Sequence, residues 1–354
     1  MAPKSAKQAE PAAPGFPAED EFGVPLPFKE EEAASLSLAA GAPFEDPKGT
    51  QLPFELAAAV ASWKRPSEFL ADLLEPEGEG EAAVPYVVGE SAAKGEHGIA
   101  GSRAQPHSVV SGVPPGEGAA ASVAWLTSLI HLVAQHSEKL AAGTYLWELI
   151  YPKGADGRPA VAPTGRYAVR LFEQSSWRLV EIDDRVPFDA DGRPLVPVST
   201  ERLELWPMLL AKALYKLAAG APPPGGDRDE AALLRLTGWM PERVPILPSL
   251  PKEAPCKLLS AMLQRAEAAI VCVSLPARGD AAAESLLAER GLSRAAMLAV
   301  CDVKEVDGAR FVRLRSELMA WRGPYCDMDE MSWSSALSQV KSRPTDWTVT
   351  LLKL

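Results

Sequence analysis

The longest helical repeat in the chain lies at Ala119–Ala142, where Trp125, Leu129, Leu132 and Val133 recur at helical spacing and Gly143 stands as a C-terminal cap. A shorter helical piece, YLWELIYP, follows and stops at Pro152. The period then changes to two. GRYAVRLFE and WRLVEIDDRVPF alternate apolar and polar positions around EQSS, which predicts a β-hairpin, and DADG after them predicts a tight turn. A second long helix is predicted from about Glu201 to Ala219. Its apolar face is Leu205, Leu209, Leu210, Ala213, Leu214 and Leu217, with Ser199 or Thr200 placed to cap its start.

APPPGGD at 221–227 marks a break. Beyond it, LLRLTGWMPERVPI closes a helix at Gly238, and Lys257–Glu267 reads as helical. AAIVCVSL, AAMLAVCDVKEV, ARFVRLRS and DWTVTLLKL read as strands, the middle two joined by an Asp307-Gly308 turn. Ahead of all this, residues 1–40 are rich in Ala, Pro, Glu and Lys and predict a disordered or extended arm. A short helix is expected around Leu56–Trp63, and mostly loops over about 75–120. The expected class is α+β. The divisions are an arm at 1–40, an extension at 41–98, a helical lobe with its hairpin at 99–222 and a mainly antiparallel β lobe at 223–354.

Composition narrows the function classes. The 354 residues suffice for one large or two modest domains, and 47% apolar content can fill a core. A net charge of −11 without a basic stripe argues against nucleic acid and against anionic membranes. No apolar run approaches the roughly 20 residues that span a bilayer, and the N-terminus lacks an apolar signal segment, so the cytoplasm is the expected compartment. The four cysteines (Cys256, Cys272, Cys301 and Cys326) form no C-x-x-C pair and have no neighbouring histidine, which predicts reduced thiols and no zinc site.

Three stretches together resemble the protease core of the calpains. They are the hairpin Gly165–Pro187 with its D-D-R end, E-L-W-P-M-L-L-A-K-A-L-Y-K-L at Glu204–Leu217, and V-K-E-V-D-G-x-R-F-V-R-L-R followed by W-R-G-P-Y-C-D and Trp333. The resemblance implies a two-lobed, papain-like fold. FEDPKG and SWKRPSEFL before the core, and LTGWMPERVPI after its helix, further resemble androglobins, a cilium- and testis-associated branch with a calpain-like domain.

A papain-type protease needs a cysteine at a helix N-terminus, an imidazole on the other lobe and an Asn or Asp to orient it. The family's G-D-C-W-L-L is similar to ASVAWLTSL here, which puts Ala124 at the nucleophile position. The strand G-H-A-Y-S-V corresponds to AAMLAV, with Ala296 at the histidine position, and the Asn of L-R-N-P-W-G falls on Ser316. Independently of alignment, all four histidines (His97, His107, His131 and His136) precede residue 137 and all four cysteines follow residue 255. A reversed pair of Cys272 or Cys301 with His107 would place a thiol inside an apolar strand, where it packs as an inert hydrophobe.

Other sites have plain readings. Asp183-Asp184-Arg185 is expected to be an ion pair pinning the hairpin to a neighbouring loop. Asp327–Glu330 lacks the glycine and the glutamate of a calcium loop, and GVPPGEG at 112–118 lacks the G-K-[ST] of a phosphate loop. No metal or cofactor is expected. Most of the nine tryptophans should be core, with one or two exposed as interface anchors. The expectation is a non-enzymatic, calpain-like scaffold working through protein–protein contacts. The androglobin resemblance implies axonemal subunits of the cilium or flagellum as its partners. The alternatives are a soluble regulatory pseudo-protease holding peptides in the old cleft and a residual cysteine protease.

Overall fold

The computed structural model describes residues 27, 29, 33, 36, 38–47, 52–73, 109–114, 118–136, 145–199, 204–218, 227–239, 241–245, 254, 256–257, 260–261, 268–274, 297–306, 309–315, 325–327 and 348–353. In chain order the elements are α1 (Phe54–Ala59), β1 (Ser62–Lys64), α2 (Pro66–Leu73), β2 (Val109–Ser111), α3 (Ala119–His136), α4 (Tyr145–Leu149), β3 (Ile150–Tyr151), β4 (Arg166–Glu173), β5 (Ser176–Asp183), β6 (Val186–Phe188), β7 (Pro197–Ser199), α5 (Trp206–Leu217) and α6 (Asp227–Thr237). Then come β8 (Pro241–Pro245), β9 (Ala268–Ser274), β10 (Met297–Val306), β11 (Ala309–Arg315), β12 (Tyr325–Asp327) and β13 (Thr348–Lys353). Gly143 and most of the helix expected at Lys257–Glu267 lie outside the described residues.

α3 is the axis of the first half. Val123, Leu126, Leu129, Ile130, Leu132 and Val133 are all buried, so the helix is enclosed on every side. Its hydroxyls are satisfied within the helix: Ser122, Thr127 and Ser128 donate to the carbonyls of Gly118, Val123 and Ala124 at 3.1, 2.7 and 3.1 Å. Around it lie α1, α5, α6, β2 and β7, and also β9 and β10 from the second half.

The hairpin is the one the alternation predicts. β4 and β5 pair without a break from Arg166 opposite Asp183 to Glu173 opposite Ser176. Gln174 and Ser175 turn the chain with φ of 47° and 60°, both in the left-handed region that matches hairpin twist. Tyr167, Val169, Leu171, Val180 and Ile182 feed the main core. The opposite face presents Ala168 and Leu179 to Ala33, which is buried, and to Leu36. Pro27 bridges Arg178. Part of the stretch 1–40 is therefore packed chain and not a free arm, because its small apolar residues cover an apolar sheet face.

Two local expectations fail. Trp63 is not in a helix: α1 ends at Ala59, and Trp63 lies in β1, paired with Pro187 of β6. Nor does Ser199 or Thr200 cap α5. Ser199 ends β7 opposite Val109, and the residue before the helix is Leu205, with no side-chain cap bond. Pro207 in the first turn removes one N–H that would otherwise need a partner. Gly238 does close α6, with φ of 69° and its N–H donating to the Leu234 carbonyl at 2.7 Å.

The second half is one antiparallel sheet in the order β12-β11-β10-β9-β13-β8. The four strands expected from AAIVCVSL, AAMLAVCDVKEV, ARFVRLRS and DWTVTLLKL are β9, β10, β11 and β13. The turn residues Asp307 and Gly308 lie outside the described residues, and Val306 pairs with Ala309 on either side of them.

Candidate functional site

Ala124 sits in the second turn of α3 and is buried, 6% exposed. Its carbonyl accepts the Ser128 hydroxyl, and Trp125 beside it packs against the core. A methyl group offers no electron pair. The helix opens five residues earlier, at Ala119, so the unpaired N–H groups that would favour a thiolate are not at this position.

Ala296 and Ser316 lie outside the described residues. β10 begins at Met297, and β11 ends at Arg315, which sits opposite Ala299. α3 lies against β10. Cys272 is opposite Ala299 in β9, Cys301 falls where the β10–β11 register shifts, and Cys326 is opposite Val312 in β12. His107 is outside the described residues. His131 is buried in the middle of α3.

Chemistry of another kind converges on Asp183-Asp184-Arg185. Asp183, 3% exposed, ends β5. Lys212, 1% exposed on α5, donates to its Oδ1 and, at 2.6 Å, to its backbone carbonyl. Arg185 donates from Nε to Asp183 Oδ2 at 2.9 Å, and the Asp46 N–H donates to the same oxygen at 3.1 Å. One turn along α5, Lys216 donates to Asp46 Oδ2 at 2.5 Å and to the Glu181 carbonyl at 2.7 Å. Arg65 bonds Asp184 Oδ1 and reaches the Phe44 carbonyl at 2.6 Å, while Arg166 bonds Glu181. The segment 44–46, the start of α2, the hairpin and α5 are held by one set of buried charges.

Backbone geometry makes room for it. Gly165 has φ of 72°, and a Cβ there would stand 2.5 Å from Asp184 Oδ1 and 2.6 Å from Arg65 Nη1. Trp63, 39% exposed, lies over the pair with its ring centroid 5.7 Å from the Lys212 ammonium.

Burial works against the Asp183 carboxylate, but Lys212, the Asp46 N–H and Arg185 outweigh it and hold its pKa at about 2. Asp184 goes the other way: burial raises it, and Arg65 offsets only part of that. Burial also pushes Tyr167 up to about 12, while its hydroxyl accepts the Ala162 N–H at 3.0 Å. The cluster is a fixed structural joint, as the plain reading of D-D-R expects, and it joins more elements than one loop.

Sequence reasoning missed Lys212, Lys216, Asp46, Arg65 and Gly165. The available signal was the pair Lys212 and Lys216, four apart on an otherwise apolar helix and so on one side of it. The described start of GVPPGEG is closely packed. A Cβ on Gly112 would lie 2.1 Å from the Pro194 carbonyl oxygen and 2.6 Å from that of Val196, an electronegative surrounding.

Helices around a central α3, an inserted hairpin and an antiparallel sheet against that helix are the parts of a papain-like protease core fold. The calpain family cysteine protease model matches residues 125–348, and the chain belongs to that family. Calpain-7 of Mus musculus is 31% identical over 196 residues, which is 54% of this chain and 23% of calpain-7. Androglobin of Homo sapiens is 41% identical over 109 residues, 29% of this chain and 6% of androglobin. The calpain-like protease palB/cpr-8 of Neurospora crassa is 36% identical over 131 residues, 36% of this chain and 14% of that protein. The chain thus spans under a quarter of the length of each of these relatives.

Proposed function

We propose that this chain is a calpain-family domain without protease activity, serving as a scaffold subunit through protein–protein contacts in the ciliary or flagellar axoneme. The observation that carries the loss of catalysis is Ala124, a buried methyl group at the nucleophile position. The sequence supports it further, since no histidine lies beyond residue 136 and no cysteine before residue 256. The axonemal part is supported by the similarity to androglobin and by the compartment that the resemblance implies.

Two measurements test it. Fractionation of the tagged protein in ciliated cells should leave it on salt-washed axonemes. Complete release into the membrane-plus-matrix extract would discard the axonemal subunit and leave a soluble pseudo-protease. Thiol-directed protease probes at neutral pH should leave the folded chain unlabelled, and stoichiometric labelling would return it to the enzymes.

A further inference from the structure

A cavity of about 390 Å³ lies between the N-terminal extension and the first half of the core. Its walls come from β1, α2, β2, β6, β7, the turn at Gly192 and Pro194, and the start of α5. Among the described residues, its lining comes from the extension and the first half of the core. Its volume is within the range of small-ligand pockets.

The lining combines an apolar body with one cation. Phe69 and Phe188 stand with ring centroids 5.2 Å apart, and Met208 joins them. Lys64, half-buried, carries its ammonium 5.1 Å from the Phe188 centroid and engages no carboxylate among the described residues. The acid in the lining, Glu204, is 1% exposed, and its Oε2 accepts the Ser199 hydroxyl at 2.5 Å and the Trp206 indole N–H at 3.2 Å. Its charge is thus met by donors within the protein, whereas that of Lys64 is met, among the described residues, by a ring face. A half-buried ammonium beside aromatic walls gains most from a ligand that brings a carboxylate on an apolar body.

We propose that this cavity binds an apolar group bearing a carboxylate, either a free aryl or alkyl acid or the last residue of a peptide with an apolar C-terminal side chain. The site does not depend on the axonemal reading and would stand if that reading failed. The test is calorimetric titration of the full chain with phenylpropionate, with its amide, and with the tripeptide Gly-Gly-Phe as free acid and as amide. The acids should bind saturably, and the amides about tenfold more weakly or not at all. Lys64→Met keeps the stem and removes the charge. It should weaken the acids about tenfold with the melting temperature unchanged. Tighter binding of the tripeptide acid identifies a peptide terminus, and preference for phenylpropionate a free acid. Equal binding of acid and amide, undiminished binding by K64M, or no saturable binding of any probe would overturn the proposal.

Discussion

Lys212 donates to both the carboxylate and the backbone carbonyl of Asp183, so the middle of α5 is fastened to the end of β5 by one side chain. Both residues are almost wholly buried. Such a pair adds little over a well-packed apolar pair, yet it is costly to break from one side. Lys212→Met should therefore lower unfolding stability by about 3 kcal/mol or more, because Asp183 keeps its charge and loses its main partner. The double variant Lys212→Met/Asp183→Leu should lose less than the sum of the two single variants. Urea denaturation of the four proteins measures the coupling, and strict additivity would refute it.

Acid should act on the same carboxylate. Asp183 titrates at about 2 in the folded chain against an ordinary value of 3.8. Its contribution is complete above the ordinary value and is lost as the pH falls through the folded one. Asp184, raised in the folded chain, works in the opposite direction, so the total acid profile blurs the effect. The stability difference between wild type and Asp183→Asn isolates it. That gap should be widest above about pH 4 and narrow by about 2 kcal/mol toward pH 2. A gap independent of pH would show that the carboxylate is not the source.

Arg65 links α2 to both Asp184 and the Phe44 carbonyl. Arg65→Ala should cost about 1–3 kcal/mol, since it leaves the half-buried Asp184 carboxylate and Phe44 carbonyl without this donor. Gly165→Ala should have a similar effect from the other side, through strain at positive φ and collision with the same pair. Limited proteolysis should show faster cutting within 44–73 in both variants, with the hairpin still protected. Unchanged cutting would mean that packing alone holds the extension.

On the proposed reading, a cysteine at residue 124 should not by itself give a protease. In Ala124→Cys the thiol would stand in the second turn of a buried helix, and the proposed reading puts Ala296 where a histidine would be needed. Thiol-directed probes at neutral pH should not label residue 124 beyond the background of the parent chain. Rapid labelling there would show that a base reaches it.

The periodic elements were legible in the sequence because their causes are local. Alternation fixed the β4–β5 hairpin, and an apolar repeat fixed α3, with Gly238 marking the end of α6. The errors lie where distant partners decide. Trp63 follows an alanine-rich run that reads as helix, but its backbone pairs with Pro187, far along the chain. Ser199 resembles a cap, yet β7 takes it into a ladder with Val109, and its hydroxyl serves Glu204. The assignment of Ala124 to the nucleophile position rests on the similarity of a single motif and remains part of the proposal. The charge cluster could not be read from the sequence, since Asp183 meets Asp46 and Lys212 at separations of 137 and 29 residues.

The strand order of the large sheet has a consequence for biosynthesis. β13 lies between β9 and β8, so among the described strands β8 meets the sheet through the strand of that sheet that is made after the other five. Until Thr348–Lys353 emerges, β9 keeps an open edge and β8 has no partner among the described strands. The hairpin and α3 are made long before this and can pack during translation. A nonsense codon just ahead of Thr348 would therefore leave an unpaired, aggregation-prone strand edge where a seam should have closed.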